Sequence, residues 1–263
     1  MSGFGRTTMA RRARVLDALQ KADLVRVPDL ANMLNVAEVT VRRDLDDLAA
    51  QGVVERFHGG ARLLARTEQA PPSRTRGGLD SRKKRIAECA ATFVRPGDTV
   101  MLSGGTTTLA VFREIASMDV RIVTNNAMIV GEISDQMRAE LFVLGGEYNR
   151  HTRALNGDLT NLTLNEINGT ICFLGTNAVS QKAGVTSTIY AAAFVNRLMA
   201  KQCENRVVVV ADASKIGVTA QFLSMPMASV QRLVTDADAD PAEIAAYRTA
   251  GLQVSLCGPD EGE

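Results

Sequence analysis

The chain has no tryptophan, three tyrosines and eight phenylalanines among 263 residues, and its basic front half carries only Phe4 and Phe57. RNA and single strands are held largely by stacking bases on aromatic rings, so that mode of binding finds no platform here. Four cysteines, Cys89, Cys172, Cys203 and Cys257, are widely scattered with no Cys-x-x-Cys pair. This spacing argues against zinc sites and a disulfide framework alike, and they read as buried thiols. The longest strongly apolar run is Val207–Ala211, far short of the roughly 20 residues a membrane-spanning helix requires. The early arginines lead into "RRARVLDALQKAD", which is amphipathic and carries acids, unlike the apolar stretch of a secretory signal. A cytoplasmic protein is expected, with no membrane partner, no metal and no cofactor.

What is present is charge, unevenly placed. The net charge of +1 conceals +7 over residues 1–85 and −6 over residues 86–263, and a basic front half attracts a polyanion. A length of 263 residues, with 46% hydrophobic and 22% charged, suits two packed domains. The stretch "RTEQAPPSRTRGGLDSRKKR", residues 66–85, is polar, contains Pro71–Pro72 and Gly77–Gly78, shows no hydrophobic period and reads as a linker. The expected division is a small domain over residues 8–65, a linker over 66–82 and a larger domain over 83–257.

The small domain patterns as three short helices, "ARRARVLDALQKAD", "VPDLANMLNV" and "EVTVRRDLDDLAAQG", each with apolar residues at helical spacing. "VVERFHGGARLL" then gives two short arms joined at Gly59–Gly60, a pair that tolerates positive φ at both positions of a hairpin turn. In the third helix Val41, Leu45 and Leu48 form one apolar stripe, while Val39, Thr40 and Arg43 project from the other side with Arg42 on the flank. One face then locks the helix to its domain while the other offers a guanidinium to guanine and a methyl to thymine in a major groove. The plainer alternative pairs Arg42 and Arg43 with Asp46 and Asp47 on a solvated face. The succession of helix, turn, basic helix and Gly-Gly hairpin favours a winged helix-turn-helix. Arg56 and Arg62 would then suit phosphates or the minor groove. His58 would sit in the turn.

Residues 14–61 resemble the DNA-binding domain of the DeoR family of bacterial sugar-metabolism repressors. The resemblance rests on "TVRRDL" at 40–45 and on Gly52 to Ala61, ending in "HGGA". Where the family commonly has a serine before the recognition helix, this chain has Ala37. Losing such a cap costs about 1 kcal/mol, so the helix start is expected to fray unless Asn35 substitutes.

Beyond the linker, β-rich runs "TVMLS", "VRIVT", "ELFVLGG", "TICFLG", "RVVVVAD", "RLVTD" and "LQVSL" mostly alternate with helical stretches such as "TTLAVFREIASM", "AMIVGEISDQM", "YAAAFVNRLMAKQ" and "PAEIAAYRTAG". This is the pattern of βαβ units around a largely parallel sheet, an α/β fold. Gly104, Gly105, Thr106, Thr107 and Thr108 fall between a strand and a helix, where backbone amides, hydroxyls and the helix dipole converge on an anion; the alternative is a plain turn. The Gly-Lys-Ser/Thr of a Walker loop is missing. Asn125, Gly145, Gly175, Asp212 and Lys215 follow other strands and would share one crevice at the strand ends. The alternative makes Asp212 a helix cap and Lys215 a surface cation.

This half is also similar to the DeoR effector-sensing domain, through "VTNN", "LGG", "FLG", "GVT" and "ADASKIG". That resemblance implies a fold like ribose-5-phosphate isomerase and CoA transferases, and a phosphorylated sugar or polyol held by Ser103 to Thr108 with Lys215 nearby. Thr170 and Ala191 to Ala193 stand where the family often has carboxylates, so an altered or weakened effector pocket is expected. The leading reading is a transcriptional regulator, a repressor acting on double-stranded operator DNA as a homodimer or homotetramer. The alternative is a sugar-phosphate isomerase-like enzyme with a DNA-binding appendage, with Asp212 or, further off, Glu147 as its base.

Overall fold

A computed structural model describes residues 11–12, 14–19, 25–50, 54–57, 59–63, 81–203 and 205–258. The chain divides into two compact units, residues 1–69 and 70–263.

In the first unit, α1 is helical at residues 11–12 and 14–19, and buries Val15, Leu16 and Leu19. A two-residue strand β1 (Val25–Arg26) precedes α2 (Val27–Leu34), which opens with a proline in its first turn and ends at Asn35 in the left-handed region, φ 52°. Asn35 therefore closes α2, its amide bonding back to Ala31 and Asn32, and does not cap the next helix. α3 (Glu38–Ala50) starts on the Ala37 carbonyl, which accepts from the Thr40 and Val41 amides. Val41, Leu45 and Leu48 form its buried stripe, as the wheel requires.

β2 (Val54–Phe57) and β3 (Gly60–Leu63) form the wing hairpin, and β1 adds a third strand on β3, giving the order β1-β3-β2. The glycine pair does two different jobs. Gly59 takes φ 91°, whereas Gly60 is not among the positive-φ residues and pairs with Phe57 and Arg26. A Cβ on Gly60 would lie 2.4 Å from the Val25 carbonyl oxygen and 2.7 Å from the Phe57 ring. The first glycine makes the turn and the second admits β1.

The second unit is built on a seven-stranded sheet. In chain order its elements are α4 (Ser81–Ala91), β4 (Thr99–Leu102), α5 (Thr106–Ile115), β5 (Arg121–Thr124), β6 (Glu140–Val143), β7 (Glu147–Asn149), β8 (Ala154–Asn156), α6 (Asp158–Asn165), β9 (Ile171–Gly175), β10 (Ala178–Ser180), β11 (Gly184–Ser187), α7 (Tyr190–Gln202), β12 (Val207–Val210), β13 (Phe222–Met225), β14 (Arg232–Asp236), α8 (Pro241–Thr249) and β15 (Gln253–Cys257). The sheet order is β15-β14-β12-β9-β4-β5-β6, and every pairing is parallel. From β4 the chain builds outward to β6, then returns to the other side of β4 with β9. The direction of winding therefore reverses between β4 and β9, where a crevice opens at the carboxyl ends of parallel strands.

Alternating side chains supply two cores. Met101, Val123, Val207 and Val209 face α6, α7 and α8 through Leu164, Met199 and Tyr247. Val100, Leu102, Ile122 and Val208 face α4 and α5 through Ile86, Phe112 and Ile115. The antiparallel hairpin β7-β8 and the sheet β10-β11-β13 lie outside this framework.

All seven strands expected from the sequence are the seven in the parallel sheet. Two expectations change. "AMIVGEISDQM" forms only a 3-10 turn, Ala127–Glu132, capped by the Asn126 side chain on the Met128 amide. Gly131 lies within it and Ile133 is already extended, so no full helix propagates. α4 begins at Ser81, inside the stretch read as linker, because Ile86, Ala87 and Ala90 give it a buried face that a run of cations conceals.

Gly60→Ala is expected to destabilise the first unit by about 1–3 kcal/mol, since the added Cβ would stand 2.4 Å from the backbone carbonyl oxygen of Val25. Gly59→Ala strains the turn through φ alone. Urea unfolding of the two variants checks this, and an unchanged midpoint for Gly60→Ala would refute the close packing of β1.

Candidate functional site

On α3, Val39 is 65% exposed, Arg42 and Arg43 are exposed and Thr40 is half-buried. The aspartates that follow them are committed elsewhere. Asp44, 2% exposed, accepts from Arg11 Nε at 2.5 Å and Arg12 Nε at 3.1 Å. Asp47 pairs with Arg12, and Asp46 with Arg56 of the wing. Arg42 bonds Glu38 one turn back at 2.8 Å. Arg43 has no ion-pair or hydrogen-bond partner among the described residues. The plainer alternative, in which the two arginines pair with Asp46 and Asp47, gives way to a brace. Carboxylates of α3 hold α1 and the wing, and one guanidinium is left facing solvent. Arg56 also donates to the Arg42 carbonyl at 3.2 Å, so part of its donor set fastens wing to helix. His58 and the side chain of Arg62 lie outside the described residues.

In the second unit, the loop after β4 and the end of β9 meet at the switch point. The Gly175 amide donates to Ser103 Oγ at 3.0 Å. A Cβ on Gly175 would stand 3.3 Å from the Gly104 carbonyl oxygen, and one on Gly104 would stand 2.9 Å from the Ala154 Cβ. Both glycines let backbones approach closely. Gly105 precedes α5 at φ 138° with no side-chain cap, leaving the first-turn amides of Thr106 to Thr108 available at the positive end of the helix. Thr108 is buried, its hydroxyl bonded to the Ser103 carbonyl at 2.6 Å, so it shapes the loop.

Asn125 is buried, its amide nitrogen on the Leu155 carbonyl at 2.9 Å and its Oδ1 without a partner. Gly145 packs β6 on α6: its carbonyl accepts from Thr160 at 2.5 Å and a Cβ would strike Leu159. Asp212 and Lys215 follow β12, the neighbour of β9. Asp212 caps a short turn through the Ser214 amide and Lys215 is half-buried, with no partner among the described residues.

The sequence reading passed over several residues of this region. Asn126, fully buried, donates to the Gly105 carbonyl at 2.8 Å, and Asn196 of α7 donates to the Gly175 carbonyl at 2.8 Å. Buried Asp236 accepts from the Ala213 amide and sets the turn bearing Lys215. Asn156 Oδ1 is a second buried acceptor without a partner. The doubled asparagine of "VTNN" was a visible signal, whereas Asn196 and Asp236 depend on long-range contacts.

Thr170 requires a correction. It precedes β9, at the amino end of the sheet, opposite the crevice, where its hydroxyl bonds Asp98 at 2.7 Å beside Arg206. Burial alone would raise the Asp98 pKa, but hydrogen bonds from Arg206, Thr170 and the Arg95 amide outweigh it and hold the carboxyl below its usual range. A missing carboxylate at Thr170 subtracts nothing from the crevice. Ala191 to Ala193 do lie in the first turns of α7, three to five residues before Asn196.

A winged helix with an outward basic face, joined in one chain to a doubly wound α/β unit, defines a DNA-binding transcriptional regulator with a sensor domain. Models of the DeoR-like helix-turn-helix domain and the DeoR C terminal sensor domain match residues 11–67 and 80–237. The chain belongs to the DeoR family. It is 29% identical to a putative aga operon transcriptional repressor of Escherichia coli O157:H7, covering 95% of this chain and 94% of that one. It is 32% identical to the uncharacterized HTH-type transcriptional regulator FruR of Bacillus subtilis, covering 80% and 84%. Ribose 5-phosphate isomerase A of Methanocaldococcus jannaschii superposes only loosely, with a TM-score of 0.36 at 18% identity over 51% of this chain and 52% of that one.

Asp44→Asn is expected to cost about 1–3 kcal/mol, less than a fully buried pair because Arg11 and Arg12 keep some contact with water. Thermal unfolding followed by circular dichroism reads it, and unaltered stability would show that the brace is idle.

Proposed function

We propose that the chain is a repressor of sugar or polyol metabolism genes that binds operator DNA as a homodimer or homotetramer and is controlled by a phosphorylated sugar or polyol. The observation that carries the DNA half is Arg43: exposed and without an ion-pair or hydrogen-bond partner among the described residues, on a helix whose orientation is fixed by ion pairs at Asp44, Asp46 and Asp47. In this reading Val39, Thr40, Arg42 and Arg43 address base edges, while Arg56, His58 and Arg62 address backbone phosphates. Two copies present two recognition helices to successive major-groove faces, which calls for an operator with repeated half-sites. Transcriptional repression of the aga operon is what the name of that relative says of it.

The effector reading is supported by the switch-point crevice. Ser103, Gly104, Gly105 and the Thr106 to Thr108 amides form a cradle for an anion, and Lys215 supplies a cation. Asn125 Oδ1 is a buried acceptor in want of a hydroxyl. Gly145, Gly175 and Asp212 shape the rim. The ligand acts by binding one arrangement of the oligomer more tightly than another. An isomerase has less support, because Asp212 Oδ1 is occupied by Ser214.

Arg43→Ala is expected to weaken operator binding with little change on non-specific DNA, by roughly 1–3 kcal/mol, whereas Arg62→Ala weakens both alike. Gel-shift titrations decide; undiminished operator affinity in Arg43→Ala removes its assignment. In a thermal-shift screen of sugar and polyol phosphates, one compound is expected to raise the midpoint of the wild type. Gly104→Ala should abolish that rise and Thr170→Val should preserve it. No rise with any phosphorylated compound rejects the sensor reading.

A further inference from the structure

β6 is an edge strand, and its one neighbour in the sheet is β5. The Glu140 and Leu144 amides donate to the Val120 and Thr124 carbonyls on that side, at 2.9 and 2.8 Å. Backbone groups alternate along a strand, so the N–H and C=O of Leu141 and Val143 turn outward, where the sheet has no further strand among the described residues. The two faces of β6 are bare as well. The crossover from β5 is only the 3-10 turn, which leaves Val130, Ile133 and Val143 exposed. On the other face Phe142 is 44% exposed under the Arg121 guanidinium, and α6 adds exposed Leu159 and Leu162, with Leu159 against Gly145 at the end of β6.

Six large apolar side chains, each about half exposed, leave on the order of 600 Å² in water along one strand, at the upper end of what a monomer shows and near the roughly 800 Å² each partner gives a standard interface. Natural edge strands are blunted by lysine, proline or a bulge. β6 reads Glu-Leu-Phe-Val in unbroken register and has none of these. The opposite edge is different, for Gln253 and Ser255 of β15 are held by Arg232.

We propose that β6 is the seam between two copies of this chain, the strands pairing antiparallel across a two-fold axis at Phe142 so that two seven-stranded sheets become one. A two-fold axis at a strand edge makes the pairing antiparallel. One register engages both outward residues: Leu141 opposite the partner's Val143 and Val143 opposite the partner's Leu141, each pair exchanging both N–H···O bonds. Phe142 then meets the partner's Phe142 on the axis, in the kind of pair where side chains stand closest. The same register sorts the charges. Glu140, paired with Arg121 at 2.9 Å, lies opposite the partner's Leu144. Exposed Arg138, before the strand, falls beside the partner's Glu147, beyond its far end. No charge on the strand faces its own copy, as contact between identical surfaces requires.

The inference rests on the homo-oligomer proposed above, and its test separates the two. In sedimentation velocity the full-length wild type is expected as a dimer or tetramer. Phe142→Asp should run at half that mass, its association at least about tenfold weaker with an unchanged circular dichroism spectrum. Leu256→Asp, on the opposite edge strand, should keep the wild-type mass. Phe142→Cys decides independently of how Phe142→Asp folds. Paired Cα atoms at the axis stand about 4.5 Å apart, within disulfide reach, so mild oxidation should join two chains through position 142, as mapped by mass spectrometry. A monomeric wild type overturns both this inference and the oligomer reading. An oligomer that Phe142→Asp leaves whole and Phe142→Cys does not cross-link overturns the seam alone.

Discussion

The second unit depends on all seven strands running the same way. Parallel pairing sends every carboxyl end to one edge, and reversal of winding between β4 and β9 keeps their following loops from covering each other. The short contact between Ser103 and the Gly175 amide is possible because that gap exists and because glycine leaves room for it. The uncapped start of α5, the Asn125 side chain and the turn that carries Lys215 are gathered by the same geometry. The crevice is a property of strand order, which side chains then furnish.

In the first unit the organising element is the set of carboxylates on α3. A helix facing DNA has reason to avoid negative charge, yet four acids lie within or at the start of this one. Their placement resolves the conflict: Asp44 points inward, Asp46 and Asp47 are neutralised by arginines of the wing and α1, and Glu38 holds Arg42. Each acid removes repulsion and fixes orientation together. Ion pairs of this partly exposed kind are individually weak, but they converge on a single helix from two sides.

Much of this was legible in the sequence because periodicity reports burial. Apolar runs such as Val207–Val210 marked strands buried on both faces, and the stripe of Val41, Leu45 and Leu48 marked the inner side of α3. The antiparallel pieces β7-β8 and β10-β11-β13 escaped notice because strands of three or four residues are too short to show a period. α4 was hidden by its cations, and the place of Thr170 by the fact that sequence motifs do not say at which end of a strand they fall. Among the site residues, those next to glycine-rich turns were readable. Asn196 and Asp236 were not, since each is defined by a partner distant in sequence.

The smallest strand has a large mechanical effect. β1 pairs with β3, and the Val27 amide that opens α2 bonds the Gly59 carbonyl at 2.9 Å. Hairpin and helices are thereby joined at both the turn and the shaft, like the jaws of a caliper riveted at a fixed opening. Changing the side chains on either jaw alters what is gripped, while the gap itself is set by backbone.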